Sequence, residues 1–332
     1  MVDAKQQWKA WLYLSPALIL LAIFTVWPIF NTVMIAFRNG YSNSGAILGK
    51  SYPFGFKNFW NYDDTYYEVT GKLIGTGVLN YKLFKNCLFN TLILCGITVP
   101  VSTFLALVIA ACLNSIKPLN RVFQTIYFLP YVTNSIAIGM VFFTMFNVIG
   151  YNAAKPVSEA TSIGMMNSII QFFGGKPVLW ISTGSDKFHN MLVLIIYIVW
   201  NALPFKILIL LGGLQSVNKQ YYDAAKVDGT SRVRTFFRIT VPMLSPMIAY
   251  VVITGFIGGF KEYSSVVGIF GESMRAPGAG EDQTLNTMVG FIYECIKNDD
   301  MGRASAGALV LFGIILVVTL INLYVSKKRV HY

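Results

Sequence analysis

Uncharged, mostly apolar runs recur along the chain at 11–37, 86–113, 122–154, 188–205, 239–260 and 304–326, and the fourth continues past Lys206 to about 214. A helix that crosses the hydrocarbon core of a bilayer needs about 20 such residues. The pattern therefore predicts six transmembrane helices, at approximately 11–37, 86–113, 122–147, 190–214, 243–270 and 304–325, in one all-α membrane domain covering 1–332. Pro16, Pro28, Pro100, Pro130, Pro204 and Pro246 fall inside or at the ends of these runs. Each removes a backbone donor, which is tolerable where neighbouring helices satisfy the freed carbonyl, so kinked and closely packed helices are expected. In the long segment 148–189, Ile163, Met166, Ile170 and Phe173 recur at helical spacing and predict a short interfacial helix lying on the bundle.

Composition agrees with this pattern: 55% of residues are hydrophobic and 12% charged, more apolar surface than a soluble fold can bury. Lys5 and Lys9 precede the first run as in a secretory signal, but its length and the lack of a small-residue cleavage site favour a retained first helix. Lys and Arg set orientation. With both termini cytoplasmic, segments 1–10, 114–121, 215–243 and 326–332 carry 12 Lys and Arg in 54 residues. Segments 38–85, 148–189 and 271–304 carry 12 in 124 residues, offset by 11 acids. The net charge of +11 is thus largely a topology signal, and no aromatic-basic platform supports nucleic-acid binding. Cys87, Cys95, Cys112 and Cys295 show no spacing that suggests a metal or redox site.

Between the fourth and fifth runs lies the loop Asn218–Pro242, NKQYYDAAKVDGTSRVRTFFRITVP. Asn218 can cap a first helix, Gly229 permits the left-handed backbone that ends it, and Thr230 or Ser231 can cap a second. Ala224 and Ala225 keep one face of the first helix narrow, so its backbone can approach a partner, while Asp223 and Asp228 supply acceptors. Val233, Phe236 and Phe237 share one side of the second helix, with Arg232, Arg234 and Arg238 elsewhere. An ordinary amphipathic connector would share these features. The spacing is more particular: Asp223, Ala224, Ala225, Gly229, Ile239, Val241 and Pro242 follow the pattern EAA-x3-G-x9-I-x-LP, with Asp for Glu and Val for Leu.

That pattern resembles the EAA loop of carbohydrate-type, maltose-permease-like ABC importer permeases that depend on a solute-binding protein. The resemblance extends to LSPALILLAIFTVWPIFNTVMIAF near the start, FNTL at 89–92, FLPYVTNSIAIGMVF at 128–142 and the last run, and is weakest at 38–85 and 271–283. Where many relatives have T-x-GGP, this chain has GESMRAP. The resemblance implies the type I ABC importer permease fold in the cytoplasmic (inner) membrane. It also implies a second homologous permease, two ATP-binding cassette subunits and an extracytoplasmic solute-binding protein as partners, beside membrane lipid. ATP and Mg would bind the partner ATPase, with no cofactor in this chain. Asp223, Ala224, Ala225, Asp228, Gly229 and Arg232 would form the ATPase-coupling helix.

For the cargo, the resemblance puts Trp200, Ala202 and Phe205 of the W-x3-P pattern, and Gly259 and Glu262 of GGFKEY, on the substrate pathway. A small residue leaves room, an aromatic face stacks on sugar C–H groups, and a carboxylate accepts sugar hydroxyls. From the residues alone, Lys206, Lys261 and Glu262 are the ionisable groups deepest in apolar runs, where charges usually face a cavity or a partner. Lys261 and Glu262 are adjacent and point about 100° apart, so both cannot line one face. Lys206 could instead snorkel or pair with Glu262, and two lysines could serve an anionic sugar or sugar phosphate. GKS at 49–51 is no P-loop, since Ser occupies position 44 where Gly is required. A membrane-embedded enzyme would need clustered catalytic groups, yet His189 and His331 stand apart and neither HExxH nor GxSxG occurs. A channel would not need a coupling loop.

Overall fold

The computed structural model describes residues 7–60, 67–69, 72–74, 77–115, 125–126, 131–151, 156–280 and 283–329. The expected third span, 122–147, and the motif at 128–142 lie partly outside these residues, as do most of the basic segment 114–121, Lys5 and His331. Contacts divide the chain into two compact units, Met1–Lys85 with Phe291–Phe312, and Asn86–Gly290 with Gly313–Tyr332.

In the first unit, α1 (Gln7–Leu21) and α2 (Trp27–Ala36) join through a π turn at Ala22–Val26. Most of the resulting apolar stretch, Trp11–Ala36, is exposed on the chain's own surface and only its last turn, ending in buried Ala36, packs against other residues, as expected of a helix solvated by lipid or by another membrane protein. Phe37 follows and gathers Phe54, Phe56 and Phe59 around its ring at 5.3–5.5 Å. Asn58 ties the segment together: its Nδ2 donates to the Ala36 and Arg38 carbonyls, and its Oδ1 accepts from Gly40 N. Since Asn58 is 4% exposed, Asn58→Ala would strand these groups at a cost of roughly 1–3 kcal/mol, readable as a lower unfolding temperature of the detergent-solubilised protein. The short α3 (Asn43–Ile47) starts under the carboxylate of Asp299, which accepts from Asn43 N and Ser44 N as well as the Ser44 hydroxyl. A hairpin of β1 (Tyr67–Val69) and β2 (Lys72–Ile74) follows.

The Ser44 hydroxyl and these two amides hold the Asp299 carboxyl below its usual 3.8. Because the folded-state pKa is depressed, the clasp contributes fully above the unfolded value and is lost as pH falls through the folded one. Hydrogen exchange at Asn43 and Ser44 is therefore expected to accelerate only below about pH 4, the ordinary carboxylate range.

The long α4 (Lys82–Ser115, 34 residues) spans roughly 51 Å at 1.5 Å per residue and carries Pro100. In the second unit come α5 (Ser135–Phe146), α6 (Gly164–Phe172) and α7 (Lys187–Ser216). Next are α8 (Lys219–Val227), α9 (Arg232–Thr235), a π turn at Phe236–Thr240 and the single turn α10 (Val241–Met243). α11 (Ser245–Phe260) and α12 (Ser264–Phe270) follow, then α13 (Met288–Lys297) and α14 (Met301–Arg329), each of the last two with residues assigned to both units. α6 is the expected short helix, begun one residue after Ile163 and held by buried Asn167, which bonds the Val178 backbone and Trp180.

Among the described residues four helices are long and apolar enough to span a membrane, or five if the bent pair Arg232–Met243 and Ser245–Phe260 is one span. The fifth run is not the single helix expected over 243–270. It turns by 69° at Leu244, between Pro242 and Pro246, and stops at Lys261–Tyr263 before α12. The first bend follows from prolines that cannot donate to the preceding turn, and buried Leu244 sits against Gly213 of α7, where an added Cβ would lie 2.9 Å from its side chain.

Two apolar cores organise this unit. One gathers Leu94, Phe146, Val193, Leu194, Tyr197, Val266 and Ile269; the other gathers Ala106, Ala110, Ile207, Leu210, Leu214, Leu244 and Val251. α5 and α12 cross where a Cβ on Gly139 would come within 2.7 Å of the Gly268 backbone. The FNTL motif acts here as a clamp. Asn90 donates to the Thr284 and Asn286 carbonyls, and Thr91 Oγ1 accepts from Met288 N.

Candidate functional site

Two places in the second unit collect the residues singled out from the sequence. The first is the loop 218–242. Asn218 caps α8 through Gln220 N, Gly229 ends it with φ +65°, and Ser231 rather than Thr230 caps α9 through Arg234 N. The second helix is short and widens at once into the π turn, whose Thr240 hydroxyl lies 3.4 Å from the Tyr222 hydroxyl of α8. Asp223, Ala224, Asp228, Gly229 and Arg232 are exposed, while Ala225 is buried, so only one of the two alanines lies on the outer surface. Asp223 forms an exposed pair with Lys226 at 2.9 Å, which adds little stability. Val233 and Phe237 are exposed, and Phe236 packs on the second core. The loop thus offers a short helix with acids, a small residue and an open left-handed turn on its outer surface. Ser231→Ala is expected to cost about 1 kcal/mol of local stability through the lost cap, seen as faster hydrogen exchange at Arg234.

The second place is a cavity of about 290 Å³ between α4, α7 and α11. α4 contributes Thr98, Val99 and Ser102; α7 contributes Ile198, Asn201, Ala202, Phe205 and Lys206; α11 contributes Val251, Thr254, Gly255, Gly258 and Gly259. Glu262 also lines it, and Tyr131 stacks on Phe205 with ring centres 5.8 Å apart and planes 18° apart. The structure therefore brings Ala202, Phe205, Lys206, Gly259 and Glu262 together. Trp200 and Lys261 are not among the lining residues: Trp200 packs on Phe142 and Tyr197, and Lys261 is exposed on another side of the break. Lys261 and Glu262 diverge at the break that follows α11, outside any helix.

Lys206 is 5% exposed and does not pair with Glu262. Its Nζ donates to Ser102 Oγ at 2.6 Å, Thr103 Oγ1 at 3.1 Å and the Val99 carbonyl at 3.3 Å, fastening α7 to the Pro100 stretch of α4. Glu262 Oε1 accepts from Tyr263 N and Ser265 N and so caps α12, while Thr287 Oγ1 donates to its carbonyl. Gly259 makes room for the wall itself: a Cβ there would lie 2.5 Å from Cys95 Sγ of α4. Thr98, Ser102, Asn201 and Thr254 escaped the sequence reading because isolated hydroxyl and amide residues in apolar helices show no spacing signal. Only the rotation of each helix decides whether they meet.

Residues 99–331 match the family described as the binding-protein-dependent transport system inner membrane component. The lactose transport system permease protein LacF of Rhizobium radiobacter is 27% identical over 97% of this chain and 95% of its own length. The arabinooligosaccharides transport system permease protein AraP of Bacillus subtilis is 27% identical over 95% of this chain and 88% of its own. The fold is shared with a crystal structure of a bacterial ABC transporter involved in import of the acidic polysaccharide alginate, with a TM-score of 0.71 at 18% identity, covering 99% of this chain and 98% of that one.

Proposed function

Because the chain belongs to the family of binding-protein-dependent transport system inner membrane components, we propose that it is the permease subunit of an ATP-driven importer of a saccharide, in particular an oligosaccharide. It is a transport subunit of the inner membrane and not an enzyme. The observation that carries the cargo assignment is the cavity at the middle of α7 and α11, where an aromatic pair, hydroxyl groups and one carboxylate converge. The named relatives with substrates of this class support it.

In this reading six spans cross the membrane with both termini cytoplasmic, the third span including α5 and the fifth including α11. α8, with Asp223, Ala224, Ala225, Asp228, Gly229 and Arg232, docks on one of two ATP-binding cassette subunits, which bind ATP and Mg. A second homologous permease completes the translocation path, and an extracytoplasmic solute-binding protein delivers cargo. ATP closure of the cassette pair moves the coupling helices as levers and shifts the population of the cavity from inward- to outward-facing. The 69° elbow between the loop and α11 gives that lever a direct route to the cavity wall.

Gentle extraction of the tagged chain from its native membrane is expected to bring down a second permease and an ATPase, and vesicles holding the assembly should accumulate oligosaccharide only with ATP. Recovery of the chain alone from membranes that contain the ATPase would remove the docking assignment.

A further inference from the structure

The polar groups that line the cavity are unequal in what they leave to offer. Lys206 has three N–H donors, and Ser102, Thr103 and the Val99 carbonyl take one each. Ser102 passes its own proton to the Thr98 carbonyl. Thr98 Oγ1 donates to the Leu94 carbonyl at 2.6 Å, and Thr254 Oγ1 to the Tyr250 carbonyl at 2.7 Å. These hydroxyls therefore spend their hydrogen on their own helix and retain lone pairs. At Glu262 both hydrogen bonds to the carboxylate go to Oε1, and among the described residues none reaches Oε2. The remaining donors among the lining side chains besides Lys206 are the Tyr131 hydroxyl and the amide of Asn201, which is held only by a long contact of 3.5 Å to Ser135 Oγ.

The surface is thus rich in acceptors and poor in donors, and its one cation among the described residues is tied into the wall. A carboxylate, phosphate or sulfonate is itself acceptor-only and carries the same sign as Glu262. To reach Lys206 it would have to displace Ser102 or Thr103. A polyol brings the donors that the site lacks. We infer that the cavity selects an uncharged, hydroxyl-rich cargo, whose hydroxyls donate to Glu262 Oε2 and to the threonine oxygens, and that Lys206 is a positioning residue of the wall and not a receptor for an anionic group. This rests on the saccharide-importer reading above and narrows it.

The test uses the complete importer, with both permeases, the ATPase and the binding protein, in proteoliposomes. One pool holds short neutral gluco-, galacto- and arabino-oligosaccharides; the other holds oligogalacturonates, oligoalginates and sugar phosphates of matched size. Lumenal contents are read by mass spectrometry after ATP addition. Import from the neutral pool is expected to exceed import from the acidic pool by at least about tenfold, the factor carried by one hydrogen bond to a charged group. Glu262→Gln, which offers the cavity an acceptor and two donors in place of a carboxylate, is expected to reduce that ratio, and Lys206→Met to leave it unchanged whatever it does to total transport. Import restricted to the acidic pool, equal import of both, or a ratio that moves with Lys206→Met overturns the inference while leaving the saccharide reading intact. An assembly that hydrolyses ATP yet imports neither pool removes that reading, and the inference with it.

Discussion

Gly139→Val is expected to prevent α5 and α12 from closing on each other, and to leave little folded protein in the membrane. A Cβ at 139 would sit 2.7 Å from both the Cα and the carbonyl carbon of Gly268, and one at 268 would sit 3.1 Å from the Ile136 Cα. The obstructing atoms are backbone, so no rotamer change relieves them; the helices must separate. Small residues at such crossings let membrane helices approach closely enough for dispersion contacts, in place of a hydrophobic effect that lipid does not supply. Overpacking of this kind costs about 1–3 kcal/mol, more where backbone must move. Here it also pulls on Val266 and Ile269, which belong to the first core. Detergent-resistant yield and thermal unfolding report the loss. Gly96→Ala is the control: a Cβ there meets nothing within 4 Å, and the change gains up to about 1 kcal/mol of helix propensity. Equal effects at 96 and 139 would contradict the packing argument.

Gly229→Val is expected to separate ATP hydrolysis from transport while leaving the spans folded. Gly229 holds φ +65° with no neighbour within 4 Å of an added Cβ, so the penalty is conformational and not steric crowding. A left-handed backbone costs an ordinary L-residue about 1–2 kcal/mol, and a β-branched one more. The relaxed loop turns α8 away from the orientation that Tyr222 and Thr240 fix. Reconstituted importer should then lose at least about tenfold in cargo accumulated per ATP hydrolysed, the equivalent of about 1.4 kcal/mol in coupling. Gly229→Asn should recover part of it, since Asn tolerates this backbone region. Unchanged stoichiometry in the valine variant would contradict docking through α8.

Several features were legible because they depend on local chemistry. The cap at Asn218 and the left-handed turn at Gly229 were readable from residue type and spacing alone, and the second cap was narrowed to Thr230 or Ser231, since a cap or a left-handed turn is decided within a few residues. Lys261 and Glu262 do diverge, but in the break after Phe260 and not through the helical step between adjacent residues. The fifth run misled because apolarity measures affinity for the bilayer and not straightness. Its continuity hid the turn at Leu244 and the stop before Tyr263, although Pro242, Pro246, Gly258 and Gly259 mark both places. Trp200 belonged to a readable motif yet faces the aromatic cluster of Phe142 and Tyr197, because neighbours in a motif project from different sides of a helix.

The sequence by itself determined the solvent of this protein, most of its apolar helices and the first cap and left-handed turn of its central loop. These rest on composition and on interactions between residues close in the chain. The tertiary structure alone decided that Lys206 is held by Ser102 and Thr103 instead of Glu262, that Glu262 both caps α12 and lines the cavity, and that Gly139 and Gly259 are required by backbone and sulfur atoms over 100 residues away in the chain. Such pairings depend on how each helix is rotated and how closely its neighbour approaches. Those quantities are set by the summed packing of all the helices, and no single stretch of sequence carries them.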